Sequence, residues 1–208
     1  MRTVRRFREW RVDRFTDRVA RRPHGRRARN TYGADDAHSF LWEPVLAALA
    51  LRPEDRLLDV GCGGGAFLRR ALESGCSGVG LDHSRDMVRL ARTKLDGAAE
   101  IIEGKAEAPP LPDAAFTAVS CLVAFFFFAD PLTVLCEMRR VLDPRLGRVA
   151  IMTTAPEARG TPAAPYPLAT RGHFYTDDEL VTLALGAGFS TARIAHREPW
   201  AQLLVAHP

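Results

Sequence analysis

The residues able to do chemistry gather around LLDVGCGGGAFL, residues 57–68. A short apolar run, RLLDV, stops at a glycine-rich turn that feeds a helical segment. Glycines accept positive φ and let a ligand come close to the backbone. Gly61, Gly63 and Ala66 satisfy the dinucleotide spacing GxGxx[GA], a weak signal when it stands alone. Asp59 lies two residues before Gly61, and a second acid, Asp82, ends the run VGLD. A carboxylate at that place can accept both hydroxyls of an adenosine ribose and would repel a 2′-phosphate. The plain alternative is a pair of acids stabilising helix N-termini.

Other candidates are scattered. His38, His173, Tyr32 and Tyr166 are the side chains suited to general-base work. His38 is the preferred one, because it precedes a helix that would cover the glycine turn; the plain reading is an exposed histidine at a helix start. Phe125 to Phe128 form an unbroken aromatic run before Ala129-Asp130-Pro131. They either pack in the core or wall a ligand site. If they continue a strand, alternation allows at most two rings per face. Cys62, Cys76, Cys121 and Cys136 form no CxxC pair and have no zinc spacing. Free thiols in a reducing cytoplasm are the simplest reading.

Helices and strands that would position these residues follow a regular order. Residues 38–50 read as a helix with Pro44 in its first turn. Strands are expected at 56–60, 78–81, 100–103, 116–123 and 148–153. Helices at 66–74, 84–95 and 132–142 alternate with them. A helix over 176–187, capped by Thr176, and strands near 190–196 and 200–206 close the chain. This alternation predicts a doubly wound, mainly parallel seven-stranded α/β sheet with helices on both faces. Residues 37–208 would form that domain, with the proline-rich stretch 155–172 as a lid or substrate loop.

Residues 1–36 are set apart by charge. Residues 1–29 hold twelve arginines against three acids, +9, which leaves −5 for the remainder of a chain whose net charge is +4. Such an arm could contact nucleic acid or an acidic partner. The bland alternative is a solvated helix over 4–20, since only Lys94 and Lys105 are lysines and arginine is the chain's common cation. No apolar run approaches the ~18–20 residues of a membrane span, and the N-terminus lacks a secretory h-region.

Several ordered motifs resemble the class I S-adenosylmethionine-dependent methyltransferases of the small-molecule type. DVGCGGG is similar to their glycine motif and GLDHSRDM (80–87) to their acidic ribose segment. GKAEAPPLPDAAF (104–116), RRVLDPRLGRVAI (139–151) and HFYTDDELVTLALGAGF (173–189) resemble three further motifs, so the likeness runs from about residue 51 to 189. The resemblance implies a Rossmann-like methyltransferase fold with S-adenosyl-L-methionine as cofactor. Asp59 would face the methionine end, and the backbone from Gly61 through Cys62 and Gly63 to Gly65 would pass beneath the cofactor. Asp82 would hold the ribose, with His83 and Met87 flanking the adenine. Ala106 and Glu107 would bracket the adenine edge, and Cys121 and Leu122 would approach the methionine. Met87, Cys121 and Leu122 also read as ordinary core residues.

Three departures from the family pattern stand out. Lys105 replaces an acid commonly found before Ala-Glu, and an ammonium cannot accept a hydrogen bond from adenine. Thr117 replaces the usual acid after Phe116. Phe126 and Phe127 occupy positions where many relatives carry histidines, so an apolar wall suited to a hydrophobic or aromatic acceptor is expected there, with Tyr32 and Tyr166 as further acceptor-site candidates. The implied function is methylation of a small molecule, in secondary metabolism. The alternatives are an RNA methyltransferase using the basic arm, a cofactor-binding homologue without methyl transfer, and a nicotinamide dehydrogenase.

Overall fold

The computed structural model describes residues 23–25, 38–166 and 168–208. Tyr32, the helix expected over 4–20 and nearly all of the basic arm lie outside the described residues. After a 3₁₀ turn at Ser39–Leu41, helix α1 (Trp42–Leu49) carries Pro44 in its first turn and ends where Ala50 takes φ 44°. The alternating units follow: β1 (Arg56–Val60), α2 (Ala66–Ala71), β2 (Ser77–Asp82), α3 (Arg85–Leu95), β3 (Glu100–Glu103), β4 (Ala118–Leu122), α4 (Pro131–Val141) and β5 (Arg148–Thr154). Helix α5 (Asp177–Gly186) and the hairpin β6 (Thr191–Glu198) and β7 (Ala201–His207) complete the domain.

The seven strands form one sheet in the order β3-β2-β1-β4-β5-β7-β6. Strands β1 to β5 pair in parallel, and β7 inserts antiparallel between β5 and β6. Alternation along the strands divides the core. Leu57, Ala118, Ala150, Met152 and Leu203 pack under α1, α2 and α3. Leu58, Val119, Cys121, Ile151 and Leu204 pack against α4 and α5. Burying both faces explains the near-continuous apolar runs of the central strands. Strand order reverses between β1 and β4, and in such sheets the crevice beyond the strand ends at that point is where ligands bind.

Local chemistry fixes the helix starts. The Ser84 hydroxyl accepts from the Met87 amide at α3, and Asp130 accepts from the Thr133 amide at α4, where Pro131 is the first residue. Thr176 and Glu179 form a reciprocal capping box at α5. At the opposite end of the sheet from the crevice, Asp55 accepts from Arg148 (2.6 Å), the Thr117 hydroxyl (2.6 Å) and the Arg52 amide (2.8 Å). Thr117, unusual against the family pattern, is thus a member of a part-buried network. Burial works against the Asp55 charge, but these donors, Arg148 first, outweigh it and hold its pKa at about 2.

Two expectations change. The strand foreseen over 116–123 is shorter, because Phe116 only bridges to Leu142 and Val123 turns away with φ 55°. The aromatic run therefore does not continue the strand but forms a 3₁₀ turn at Phe125–Phe127, so strand alternation does not govern its rings. Residues 155–172 also pack more than a bare loop would. Ala158, Ala164, Ala169 and Phe174 form a small core of their own against Trp200. Among the described residues, no helix is long and apolar enough to cross a membrane.

Candidate active site

A cavity of about 1080 Å³ opens at the switch point, beyond the C-terminal ends of the strands. Its floor is the glycine turn. The Gly61 and Cys62 amides both donate to Leu81 O, at 2.8 and 3.1 Å, which ties the turn to β2. Gly61 has φ 72°, and a Cβ on it would lie 2.7 Å from the Ala124 Cβ, so only glycine lets the two turns close on each other. Gly63 faces open space.

Two carboxylates flank this floor. Asp82 is 7% exposed; it accepts from the Gly63 amide (2.9 Å) and the Ser84 amide (2.8 Å). Burial pushes its pKa up, against the pull of Ser84, His83 and Gly63. Asp59 is 2% exposed and accepts from the Ser120 hydroxyl at 2.7 Å. Burial pushes Asp59 up to about 7, the Ser120 hydroxyl draws it down, and the neighbouring Asp82 charge adds to the rise. Two buried acids sharing a small volume suit a cationic or hydroxyl-rich ligand, which would relieve both.

The far wall is aromatic. Val123 is a β-branched residue at positive φ, and its amide donates to Met152 O at 2.8 Å. This bend swings Phe126, Phe127 and Phe128 onto the cavity while Phe125 drops into the core. Phe126 and Phe127 lie 4.2 Å apart between ring centres, and Phe126 stacks on Phe174 at 5.8 Å. Phe126 O accepts from the His173 amide (2.8 Å), which ties the end of the 155–172 segment to this turn. Ala163 of that segment also lines the cavity.

Most expected site residues meet here. Asp59, Gly61, Cys62, Gly63, Asp82, His83, Met87, Ala106, Glu107, Leu122, Phe126, Phe127 and His38 all line the one cavity. Burial lowers the His38 pKa, which leaves its ring neutral near pH 7.

Three expectations are corrected on placement. Gly65 caps α2, and a Cβ there would meet Leu95 and Ala91, so it serves helix packing rather than the cavity. Cys121 alternates to the α4/α5 face, where burial raises its thiol pKa. Tyr166 is 66% exposed and lies off the cavity. His173 is also off it, its ring stacked on Tyr175.

The sequence reading missed Trp42, Phe67, Phe128 and Thr154, which also line the cavity. Thr154 ends β5, and a polar residue at the end of a strand neighbouring the switch point is a legible signal. Ser120 was missed because its value lies in its register opposite Asp59.

A doubly wound sheet with a glycine turn between two buried acids at its switch point defines an α/β domain built for an adenosyl-type ligand. Residues 58–151 match the family described as "Methyltransferase domain". The chain is 40% identical over 126 residues to a demethylmenaquinone methyltransferase of Deinococcus radiodurans, covering 57% of this chain and 52% of the relative. It is 33% identical over 136 residues to a demethylmenaquinone methyltransferase of Thermus thermophilus, covering 62% and 60%. The chain thus spans about half to three-fifths of these curated relatives' own length. A solved S-adenosylmethionine-dependent methyltransferase from Aquifex aeolicus shares the fold at a TM-score of 0.68 and 23% identity, covering 80% of this chain and 88% of that one. Over residues 58–151 the chain matches a methyltransferase domain, and its fold is the one seen in solved S-adenosylmethionine-dependent methyltransferases.

S-adenosylmethionine is the cofactor of this class, and the residues present fit it. Gly61 and Gly63 leave the turn free of side chains, and the buried acids match a ribose diol and a positively charged methionine end. Ala106 and Glu107 stand along the wall beyond β3, where an adenine would rest, and Lys105 stands beside them in place of an acceptor.

Proposed function

We propose that the chain transfers a methyl group from S-adenosylmethionine to a small hydrophobic or aromatic acceptor. The observation that carries this reading is the aromatic wall of Phe126, Phe127 and Phe128 in the same cavity as the acid-flanked glycine turn. When bound, the cofactor supplies an activated methyl on a sulfonium. The protein then needs chiefly to align the acceptor, which is worth several kcal/mol or more. Asp82 holds the ribose and Asp59 the methionine end. His83 and Met87 flank the adenine, Ala106 and Glu107 bracket its edge, and Leu122 contacts the methionine. Phe126 and Phe127 hold the acceptor's apolar body, and the 155–172 segment closes over it.

His38 takes the acceptor's proton when the nucleophile carries one. Its ring lines the cavity and is neutral near pH 7, the state a base requires. The methyltransferase names of the relatives support a small-molecule acceptor. Four unpaired cysteines fit a reducing, cytoplasmic setting. Incubating the protein with methyl-labelled S-adenosylmethionine and an acceptor panel of phenols, quinols and aliphatic alcohols tests the reading. Label transfer to an aromatic acceptor is expected. Cofactor binding without transfer to any acceptor would favour a homologue that keeps the site for another purpose, and transfer to RNA alone would move the acceptor class to nucleic acid.

A further inference from the structure

Ser120 is fully buried on β4, directly opposite Asp59 on β1 in the parallel register. It does not line the cavity, whereas Asp59 does. Its hydroxyl donates to Asp59 Oδ1 at 2.7 Å, so one carboxylate oxygen is anchored within the sheet. A hydroxyl donor favours the charged carboxylate over the neutral acid. The surrounding groups push the other way. Burial acts first, and Asp82 faces Asp59 from the end of β2 and adds to it; the Cys62 and Cys121 thiols lie close by, held neutral chiefly by their own burial. His38 before α1, His83 beyond β2, Glu103 at the end of β3, and Lys105 and Glu107 beyond it face the same cavity. Among the described residues, Ser120 is the one side chain that donates a hydrogen bond to Asp59.

We propose that Ser120 is a positioning residue for the cofactor: its hydroxyl fixes Asp59 in place and favours its charged form, so that the site accepts the ammonium-bearing end of the ligand. This rests on the reading of the cavity as an S-adenosylmethionine site. Ser120 touches no ligand and acts only through the carboxylate. The consequence is a protein whose grip on the amino-acid end of its cofactor changes with a single proton in the neutral range, because burial first, with Asp82 adding to it, raises Asp59 to about 7 against the pull of the Ser120 bond.

Binding of two nucleoside probes, measured calorimetrically between about pH 6 and pH 8.5, tests this without any acceptor. S-adenosylhomocysteine carries the ammonium; 5′-methylthioadenosine lacks the whole amino-acid portion. In the unmodified protein, S-adenosylhomocysteine should weaken towards a tenfold loss per pH unit below about pH 7, one proton's worth, while methylthioadenosine binding stays level. Ser120→Ala should move that inflection upward, giving a loss of about tenfold at pH 7 that recovers by pH 8.5, again with methylthioadenosine unchanged. Ser120→Thr, which keeps the hydroxyl, should retain the unmodified profile. Equal weakening of both probes at every pH in Ser120→Ala would mean a packing role only and overturn the proposal. So would a pH-independent S-adenosylhomocysteine affinity in the unmodified protein, with the cofactor reading left standing. If neither probe binds at millimolar concentration, the cofactor reading fails and this inference fails with it.

Discussion

Replacing Gly61 by alanine probes the contact on which the site is built. Two costs add. Gly61 has φ 72°, and an alanine in that left-handed region costs about 1–2 kcal/mol. The new methyl would also lie 2.7 Å from the Ala124 Cβ, and overpacking of this kind costs about 1–3 kcal/mol. The expected loss is about 2–5 kcal/mol, a large part of a total stability of ~5–15 kcal/mol. The two terms separate in a double-mutant cycle. Ala124→Gly removes the opposing methyl at a cost of ~0.5–1 kcal/mol, and combined with Gly61→Ala it should give back about 1–3 kcal/mol relative to additivity. Gly63→Ala is the control. Its φ is 53° but nothing lies within 4 Å, so it should lose only the backbone term, about 1–2 kcal/mol. Its methyl would instead project toward the cavity and weaken S-adenosylhomocysteine binding. Urea denaturation followed by circular dichroism, with m unchanged, reads the unmodified protein and all four variants. A coupling energy below about 0.5 kcal/mol between positions 61 and 124 would refute the close approach of the two turns.

Phe127→Ala should raise the KM for an aromatic acceptor with little change in S-adenosylhomocysteine affinity, whereas unchanged acceptor KM and kcat in both Phe126→Ala and Phe127→Ala would remove the acceptor role of this wall. His38→Gln should lower kcat and flatten the acid limb of the pH–rate profile for a proton-bearing acceptor; an unaltered profile would reject the base. Asp55 is held at about pKa 2, so its contribution is complete above its unfolded value near 4 and is lost as pH falls through 2. Near ~1.4 kcal/mol per unit this is about 2 kcal/mol. Asp55→Asn should therefore be less stable at pH 7 and show a flatter stability curve between pH 4 and 2, measured by thermal denaturation. Asp82→Asn should weaken both S-adenosylhomocysteine and methylthioadenosine, since both carry the ribose, and equal binding by the variant would separate Asp82 from the ribose.

Much of the scaffold was legible in the chain because its signals are local. Strands β1 and β3 fall at the residues expected, and the caps at Ser84 and Thr176 act where their residue types and spacing put them. The acids and glycines of the site were equally readable, since parallel topology brings the ends of β1 and β2 together without further information. The aromatic run was not. The sequence left its rings open between core packing and a ligand wall; the bend at Val123 decides where they go, and that positive φ is imposed by neighbours rather than by valine's own preference.

Residue types and their spacing along the chain determined the order of elements, the helix starts and the adenosyl-type site. Tertiary structure alone decided that Gly61 must admit Ala124, that Ser120 sits on Asp59, and that Gly65, Cys121 and Tyr166 stand away from the cavity. Capping and periodicity act over a few residues. Which side chain fills the space opposite another depends on strands 61 residues apart meeting in register, as β1 and β4 do, and no local preference encodes that.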